Sequence, residues 1–518
     1  MNRITRRDWL KAGAVGLGAA TVTSDTAAFS GRADASAFAF HHDHVLGTSL
    51  DLRFIAPDAG MAEHAERVAL AEIERLRQVF SLYDPTSELS RLNASSEPVR
   101  PSPDLRAVLR EYERWWPRAG GACNPLVGTF VRLWTQAERA GQVPDANDCH
   151  ELARLIDRPG WRWDAAASTV ARCTPYPLDL NAAAKGYIIG RAAAAVRAAV
   201  PGVAAGLVNL GGDLTAWGTA WPVAIQDPFT PFDNAPPLGG LWLRDAAVAT
   251  SGGYQRFFTI DGIRYSHLID PRIGRPTDGV ASATVVAADS MTANVLATTL
   301  CVLGPDEGVR LVATVPGAAC LIVTADGRHV ASPSLRLHPV SPSDDETKGD
   351  NKKADGKKAD DKPPKADPWP AGFQVTVAVE LLKFDNARRY RRPYTAVWIE
   401  DANGKAIRTL GVWGNSPKYL KDLASWWKFG RDDRDLVKAV TRATRGPGKY
   451  DLVWDGKDDK GHPLGQGTYT VRVEVTREHG EHVRQAGKIN CGVEAASIKM
   501  EKTSESGETA VDYKKKQP

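Results

Sequence analysis

Between Ser341 and Pro370 the chain carries Asp344-Asp345-Glu346, Lys352-Lys353, Lys357-Lys358 and Pro363-Pro364, with almost no apolar side chain. Such a run buries too little surface to offset the entropy of ordering it, so it reads as a disordered, solvated tether. It divides the 518 residues into parts that must each build a separate core. Two or more domains are expected at this length. The division predicts one domain over 40–340, a second over 371–500 and a polar tail over 501–518.

The first 35 residues fall outside both parts. Thr5-Arg6-Arg7-Asp8-Trp9-Leu10-Lys11 precedes a weakly apolar run from Ala12 to Ala20. Paired arginines before a short Gly/Ala-rich stretch predict a twin-arginine export signal, handled by the Tat translocon and removed from the mature protein. Cleavage is expected after Ala33-Asp34-Ala35, which places the mature protein in the periplasm, free or associated with the membrane. No later segment approaches the ~20 apolar residues of a membrane span.

Before the tether, strand and helix patterns alternate, which predicts a mixed α/β, α+β domain. Val45–Ala56 reads as a strand and Ala62–Phe80 as an amphipathic helix, with Val68, Ile73, Leu76 and Val79 near helical spacing. Ala184–Val200 and Met291–Leu303 read as helices, and Leu207–Leu210, Trp221–Ile225, Leu241–Val248 and Ala319–Val323 as strands. Asp261-Gly262 between two short apolar runs signals a hairpin. After the tether, Phe373–Val379, Tyr394–Glu400 and Gly467–Val475 alternate with Gly/Asp turns, predicting an all-β Ig-like sandwich. The acidic turn Asp455, Asp458, Asp459 lacks EF-hand spacing and reads as a turn.

The net charge of +4 is small for this length and gives no case for nucleic-acid binding. None of the six cysteines forms a CxxC pair, so neither a zinc site nor a thiol-redox motif is expected. His41-His42-Asp43-His44 invites a metal reading, but it sits at the start of the mature chain, where ligands are poorly held.

Four segments of the first domain can carry chemistry. Taken singly, each also has an ordinary structural role. Gly211-Gly212, after the strand ending Val208-Asn209-Leu210, is a tight turn, or a turn whose amides approach a diphosphate. Lys185 at a helix start is solvated, or supplies positive charge beside phosphate. His267 is a core histidine, or a general base oriented by neighbouring Ser266 and Asp270. Asn294 and Thr298, four apart on a helix, project from one face, where two oxygen-bearing side chains can ligate Mg²⁺.

Together, Tyr83-Asp84-Pro85-Thr86-Ser87-Glu88-Leu89-Ser90-Arg91-Leu92-Asn93, Ala184-Lys185-Gly186-Tyr187, Asn209-Leu210-Gly211-Gly212-Asp213, Ala249-Thr250-Ser251-Gly252 and Ser266-His267-Leu268-Ile269-Asp270-Pro271-Arg272 occur in one chain and one order. Over Val45 to Ser332 the sequence resembles the FAD:protein FMN transferase (ApbE) family. The resemblance implies FAD as substrate, Mg²⁺ as cofactor, and attack of a Thr or Ser hydroxyl on the FMN phosphorus with AMP leaving. It implies that Ala184 (through its carbonyl), Asn294 and Thr298 hold Mg²⁺, and that His267, Lys185 and Asp270 serve catalysis. Tyr83, Asn93, Asp179, Lys185, Asn209, Gly211, Gly212, Asp213, Ser251 and Gly252 are implied to line the FAD pocket.

The chain departs from that family's pattern. Position 294 is Asn where Asp is usual, Asn181-Ala182 replaces Gly-Gly, and Gly190 stands where an Asp is common. An amide lacks the negative charge a hard dication favours. Asp289 and Asp179 are the candidates to compensate. A flavin-binding pseudoenzyme or electron-transfer accessory, and a Mg²⁺-dependent FAD pyrophosphatase, are the alternatives these departures leave open. The second part resembles an uncharacterised periplasmic domain that accompanies the family. Family acceptors carry an Asp…Ser/Thr-Gly-Ala-Thr motif, and Thr441-Arg442-Ala443-Thr444 is a degenerate version, making Thr444 a candidate built-in acceptor.

Overall fold

The computed structural model describes residues 20–22, 35–158, 160–230, 235, 237–254, 256–338, 367–382, 392–414, 420–431, 441–442, 445, 447–477 and 480–516. The Arg6-Arg7 pair, Ala33-Asp34 of the cleavage site, residues 341–366 of the tether and Thr444 lie outside the described residues.

The first body is built on an eight-stranded antiparallel sheet: β1 Ser36–Val45, β2 Thr48–Ala56, β3 Ala205–Leu210, β4 Asp213–Trp217, β5 Ala246–Gly252, β6 Val280–Ala287, β7 Ala319–Thr324 and β8 His329–Ala331. Their order across the sheet is β8-β7-β6-β5-β4-β3-β2-β1. Neighbours in the sheet are therefore successive among these strands. β1 and β2 form a hairpin through Leu46 and Gly47, both at positive φ (51° and 78°), the conformation that matches strand twist. The expected strand from Val45 thus acquires a partner, Ser36–Val45, inside the stretch taken as a loosely held chain start.

Both faces of the sheet are covered. Helices α1 Ala59–Phe80, α2 Glu88–Ala94, α3 Pro103–Arg118, α4 Gly128–Ala140, α5 Ala146–Ile156, α6 Asn181–Ala199 and α7 Ser290–Ala313 belong to this body. Leu52, Leu76, Ile189, Val208, Val285 and Leu296 share the core between helices and sheet. On the opposite face Leu207, Leu214, Val248 and Val323 pack against Trp221, Val223 and Leu241, from a small sheet of Ala20–Val22, Trp221–Ile225 and Gly239–Leu243. Ala20–Val22 lies within the first 35 residues, expected outside both parts, and is drawn in by antiparallel pairing with Val223–Ile225. Period-2 burial on two faces explains why β3 is buried at every residue. The expected single strand Leu241–Val248 is instead two strands in different sheets, parted by a turn with Asp245 at φ 47°. The Asp261-Gly262 hairpin forms as expected, joining Phe257–Ile260 to Ile263–Ser266.

The second body has two antiparallel sheets. One runs β12-β9-β16-β15, from β9 Phe373–Leu381, β12 Gly448–Trp454, β15 Ala496–Met500 and β16 Thr509–Lys515. The other contains β11-β10-β13-β14, from β10 Tyr394–Glu400, β11 Ala406–Trp413, β13 Gly467–Thr476 and β14 His482–Cys491, with Thr441–Arg442 added in parallel beyond β11. Val375, Val377, Trp413, Trp454, Val471 and Val473 form one core between them.

Two boundaries need correction. Residues 501–518, expected as a polar tail, contain β16, an interior strand paired with both β9 and β15, with Val511 and Tyr513 fully buried. The end of the expected tether is likewise part of the fold. Trp369 stacks edge-on against Trp454 at 4.9 Å and Tyr513 at 5.4 Å. The acidic turn is a turn: Asp458 accepts backbone N–H groups of Lys460 and His462 at 2.9 and 2.8 Å. Among the described residues no helix is long and apolar enough to cross a membrane.

Candidate active site

The site is created where α6 crosses α7 against the ends of β4 and β5. α6 starts at Asn181, whose N–H donates to the Asp179 carboxylate at 2.9 Å. α7 starts after Asp289, whose carboxylate accepts the Thr292 N–H at 2.8 Å. Both acidic residues considered as compensating charges are therefore engaged at helix starts. Burial pushes the Asp179 carboxyl above its ordinary value, with the Asn181 N–H opposing the shift.

The helices approach closely because Gly186 has no side chain. A Cβ there would lie 2.2 Å from the Ser290 backbone oxygen. Ser290 Oγ donates to the Gly186 carbonyl at 2.6 Å. Gly190 serves the same crossing, since a Cβ there would meet Ser290 Oγ at 2.8 Å. The acid missing from position 190 thus has a packing reason.

This crossing sets Asn294, which is 5% exposed. Its Oδ1 accepts the Gly186 N–H at 3.2 Å, and its Nδ2 donates to Asp213 Oδ2 at 3.0 Å. Asp213, at the start of β4, also receives the Thr250 N–H on Oδ1 at 3.1 Å and pairs with Lys185 Nζ through Oδ2 at 2.8 Å. Lys185 Nζ donates further to the Gly211 carbonyl at 3.2 Å, and its side chain remains 31% exposed. Close by, Ser251 and Thr298 share a hydroxyl–hydroxyl hydrogen bond of 3.0 Å. Ala184 sits in the first turns of α6, buried, two residues before Gly186.

The Gly211-Gly212 turn is held from behind. Both glycines have positive φ (55° and 88°), and a Cβ at 211 would lie 2.3 Å from Thr48 Oγ1. Asn209 Oδ1 accepts the Gly212 N–H at 2.9 Å, and its Nδ2 donates to Asp51 at 3.4 Å. Asp51 pairs in turn with His41 Nδ1 at 2.8 Å. His41, Asp51 and Asn209 are register partners on β1, β2 and β3. Periodicity marked none of this backing, because it depends on the pairing of β1, absent from the sequence reading. His42 pairs with Glu66 at 2.8 Å.

Three expected roles change. Asn93 turns both ends of its amide to the backbone of Leu178, donating to the carbonyl at 2.9 Å and accepting the N–H at 2.8 Å. It positions the 178–181 segment and offers the pocket no free amide end. Asp270 does not orient His267. Its carboxylate is clamped by Arg272, through Nε at 2.9 Å and a terminal guanidinium nitrogen at 2.7 Å. Ser266 Oγ accepts the Leu268 N–H at 3.1 Å. His267 is instead oriented by the Arg256 carbonyl, 2.9 Å from Nδ1. A carbonyl only accepts, so Nδ1 carries the proton and Nε2 the lone pair. Burial holds the His267 imidazole below its ordinary value, so it is neutral near pH 7. Tyr83 is 96% exposed, beyond the end of α1, and Gly252 ends β5.

The oxygen donors suit a dication poorly. Mg²⁺ is normally held by one or two carboxylates with waters and substrate phosphates. Here the amide of Asn294 is spent on Gly186 and Asp213, and Asp213 is spent on three donors. Among the described residues no group of three or more His, Cys, Asp or Glu is placed to hold a metal ion.

Residues 46–322 match the ApbE family, and residues 374–509 match a family described as a predicted periplasmic protein (DUF2271). An FAD:protein FMN transferase of Treponema pallidum is 32% identical over 318 residues, covering 56% of this chain and 86% of that protein. One from Rhodobacter capsulatus is 32% identical over 305 residues, and the matched region spans only 57% of that protein and 57% of this chain. The crystal structure of the ApbE protein of Thermotoga maritima superposes with a TM-score of 0.51 at 26% identity, covering 58% of this chain and 98% of that one.

Proposed function

This chain belongs to the ApbE family, and from that premise we propose that its first body transfers the FMN half of FAD to a Thr or Ser hydroxyl of an acceptor protein, releasing AMP. One observation carries the proposal: Lys185, Asp213 and Asn294 converge from α6, β4 and α7 beside the Gly211-Gly212 turn. A fixed ammonium next to a glycine turn suits a diphosphate, whose charge needs positive partners and close backbone approach.

In the proposed reaction the acceptor hydroxyl oxygen forms a bond to the FMN phosphorus. The bond from that phosphorus to the bridging oxygen breaks, and the oxygen departs on AMP. The hydroxyl proton passes to His267 Nε2, which the Arg256 carbonyl keeps unprotonated by holding the proton on Nδ1. Charge gathers on the phosphoryl oxygens in the transition state, so catalysis rests on position and electrostatics. Lys185 supplies the positive charge. The Asp213 carboxylate and the Gly211 carbonyl hold the ammonium in one place, so it does not reorganise during the reaction. The family resemblance implies Mg²⁺ as well, but the donor set does not fit it, and no step is routed through a metal.

The acceptor is expected to carry the Asp…Ser/Thr-Gly-Ala-Thr motif. Thr444 of this chain is a further candidate. The Thr5-Arg6-Arg7 sequence supports export to the periplasm by the twin-arginine route, and so does the description of the family matched by residues 374–509 as a predicted periplasmic protein.

Incubating the full-length protein with FAD and a peptide bearing the motif, followed by intact-mass measurement, tests the proposal. A peptide gaining the mass of FMN, with AMP released, is the expected result. Free FMN and AMP without an adduct would mean a pyrophosphatase, and bound but unchanged FAD a flavin-binding protein. Either would end the transferase reading. The same spectra read Thr444: an FMN adduct on the protein's own 441–444 peptide supports a built-in acceptor, and its absence removes that idea.

A further inference from the structure

We infer that in this protein the Lys185 ammonium, seated on Asp213 and locked by Asn294, takes the position of charge that a divalent cation would fill, so that FAD binds here without a metal. The inference rests on the reading of this site as an FAD site.

The direction of one amide is decisive. Asn294 faces an N–H donor, that of Gly186, on one side and a carboxylate, that of Asp213, on the other. Only one orientation satisfies both. Rotating the amide by half a turn would set its NH₂ against an N–H and its oxygen against a carboxylate. Its NH₂ therefore points to Asp213, where a metal-binding side chain would have to present oxygen. Asn294 is buried, so water cannot relieve the alternative orientation.

The carboxylate is occupied as well. Asp213 receives Lys185, Asn294 and the Thr250 N–H, and it is 4% exposed. A metal ion using it would have to displace the ammonium or the amide. With Lys185 and Asp213 as its charged members, the cluster sums to zero formal charge before FAD binds, so the protein alone offers a dication no excess of negative charge. The ammonium keeps capacity for a ligand. It has three donors, of which the Asp213 carboxylate and the Gly211 carbonyl take two. Its side chain is the most exposed of the trio, so the remaining N–H can face a phosphate oxygen.

An acidic residue at 294 would reverse the logic. Asn294→Asp replaces a donor 3.0 Å from Asp213 with a second carboxylate oxygen. Two carboxylates at that distance repel unless a cation or a proton lies between them. The variant should therefore acquire a metal site that the natural chain lacks.

The experiment uses the full-length protein and two readouts other than turnover. Calorimetric titration with MgCl₂ alone should give no saturable binding to the natural protein, and saturable binding to Asn294→Asp. Quenching of FAD fluorescence should give the same affinity in EDTA as in MgCl₂ for the natural protein. Asn294→Asp should lose about tenfold or more of its affinity in EDTA. Lys185→Met should weaken FAD binding about tenfold under both conditions, with Lys185→Arg restoring part of it. If the natural protein binds Mg²⁺ as tightly as Asn294→Asp, or loses about tenfold in FAD affinity in EDTA, the inference is overturned while the transferase reading stands. If it binds no FAD under either condition, both fall. The arms using the natural protein decide the matter even if a variant fails to fold.

Discussion

Ser290 Oγ donates to the Gly186 carbonyl at 2.6 Å, fixing the start of α7 on the second turn of α6. The contacts of Asn294 with Gly186 and Asp213 depend on that crossing. Gly186→Ala would place a methyl 2.2 Å from a backbone oxygen, which cannot move aside as a side chain would. The gain in helix propensity, up to ~1 kcal/mol, is outweighed by overpacking of about 1–3 kcal/mol or more. Gly190→Ala meets only a side-chain hydroxyl and should cost less. Urea denaturation of both variants checks the order; equal stability would mean that the helices are not held at this distance.

Asn93 acts through Leu178. Asn93→Ala removes two hydrogen bonds to the 178 backbone and leaves a buried N–H and carbonyl unpaired, at about 1–3 kcal/mol. Asn93→Asp keeps the bond to the N–H and loses the one to the carbonyl. Both variants should lose stability in that order, Ala more than Asp. A large loss of FAD affinity in Asn93→Asp at unchanged stability would instead mean direct contact with the flavin.

His267 supplies a pH dependence whose sign is set by burial. Its folded value lies below the ordinary ~6.5. The unfolded chain therefore binds this proton more readily than the native one between the two values. The stability associated with the group is complete above about 6.5 and falls as pH drops through the lowered native value. If His267 takes the proton as proposed, transfer uses the neutral ring, and its rate should hold from pH 7 down to about 6.5 and decline only below it. NMR titration of labelled histidine checks the value, and a His267 midpoint at or above the ordinary one would contradict the assignment.

Removal of β16 should unfold the second body. Truncation after Met500 deletes a strand hydrogen-bonded on both sides and leaves β9 and β15 unpaired where it lay. Val511→Asp tests the same point without shortening the chain, since that side chain is fully buried. Loss of protease resistance across 367–500 is expected in both. Resistance equal to that of the full-length chain would restore the reading of 501–518 as a tail.

Much of this protein was legible without coordinates because the relevant signals are local. The Asp261-Gly262 pair suits only a tight turn, and the Ala-rich run after Ala184 has helical composition. The motifs around Lys185, Asp213, His267 and Asn294 are short and contiguous, so the family could be read from them directly. What each polar side chain does was decided elsewhere. Asn93 serves Leu178, Asp270 is held by Arg272 and not by His267, and the amide of Asn294 is turned toward Asp213. A side chain's hydrogen-bonding role depends on which donor or acceptor reaches it from another element, and strand register and helix crossing set that. The same holds for 509–515. Its alternating pattern is short and ends in lysines, and it becomes an interior strand only because β9 and β15 offer it two open edges.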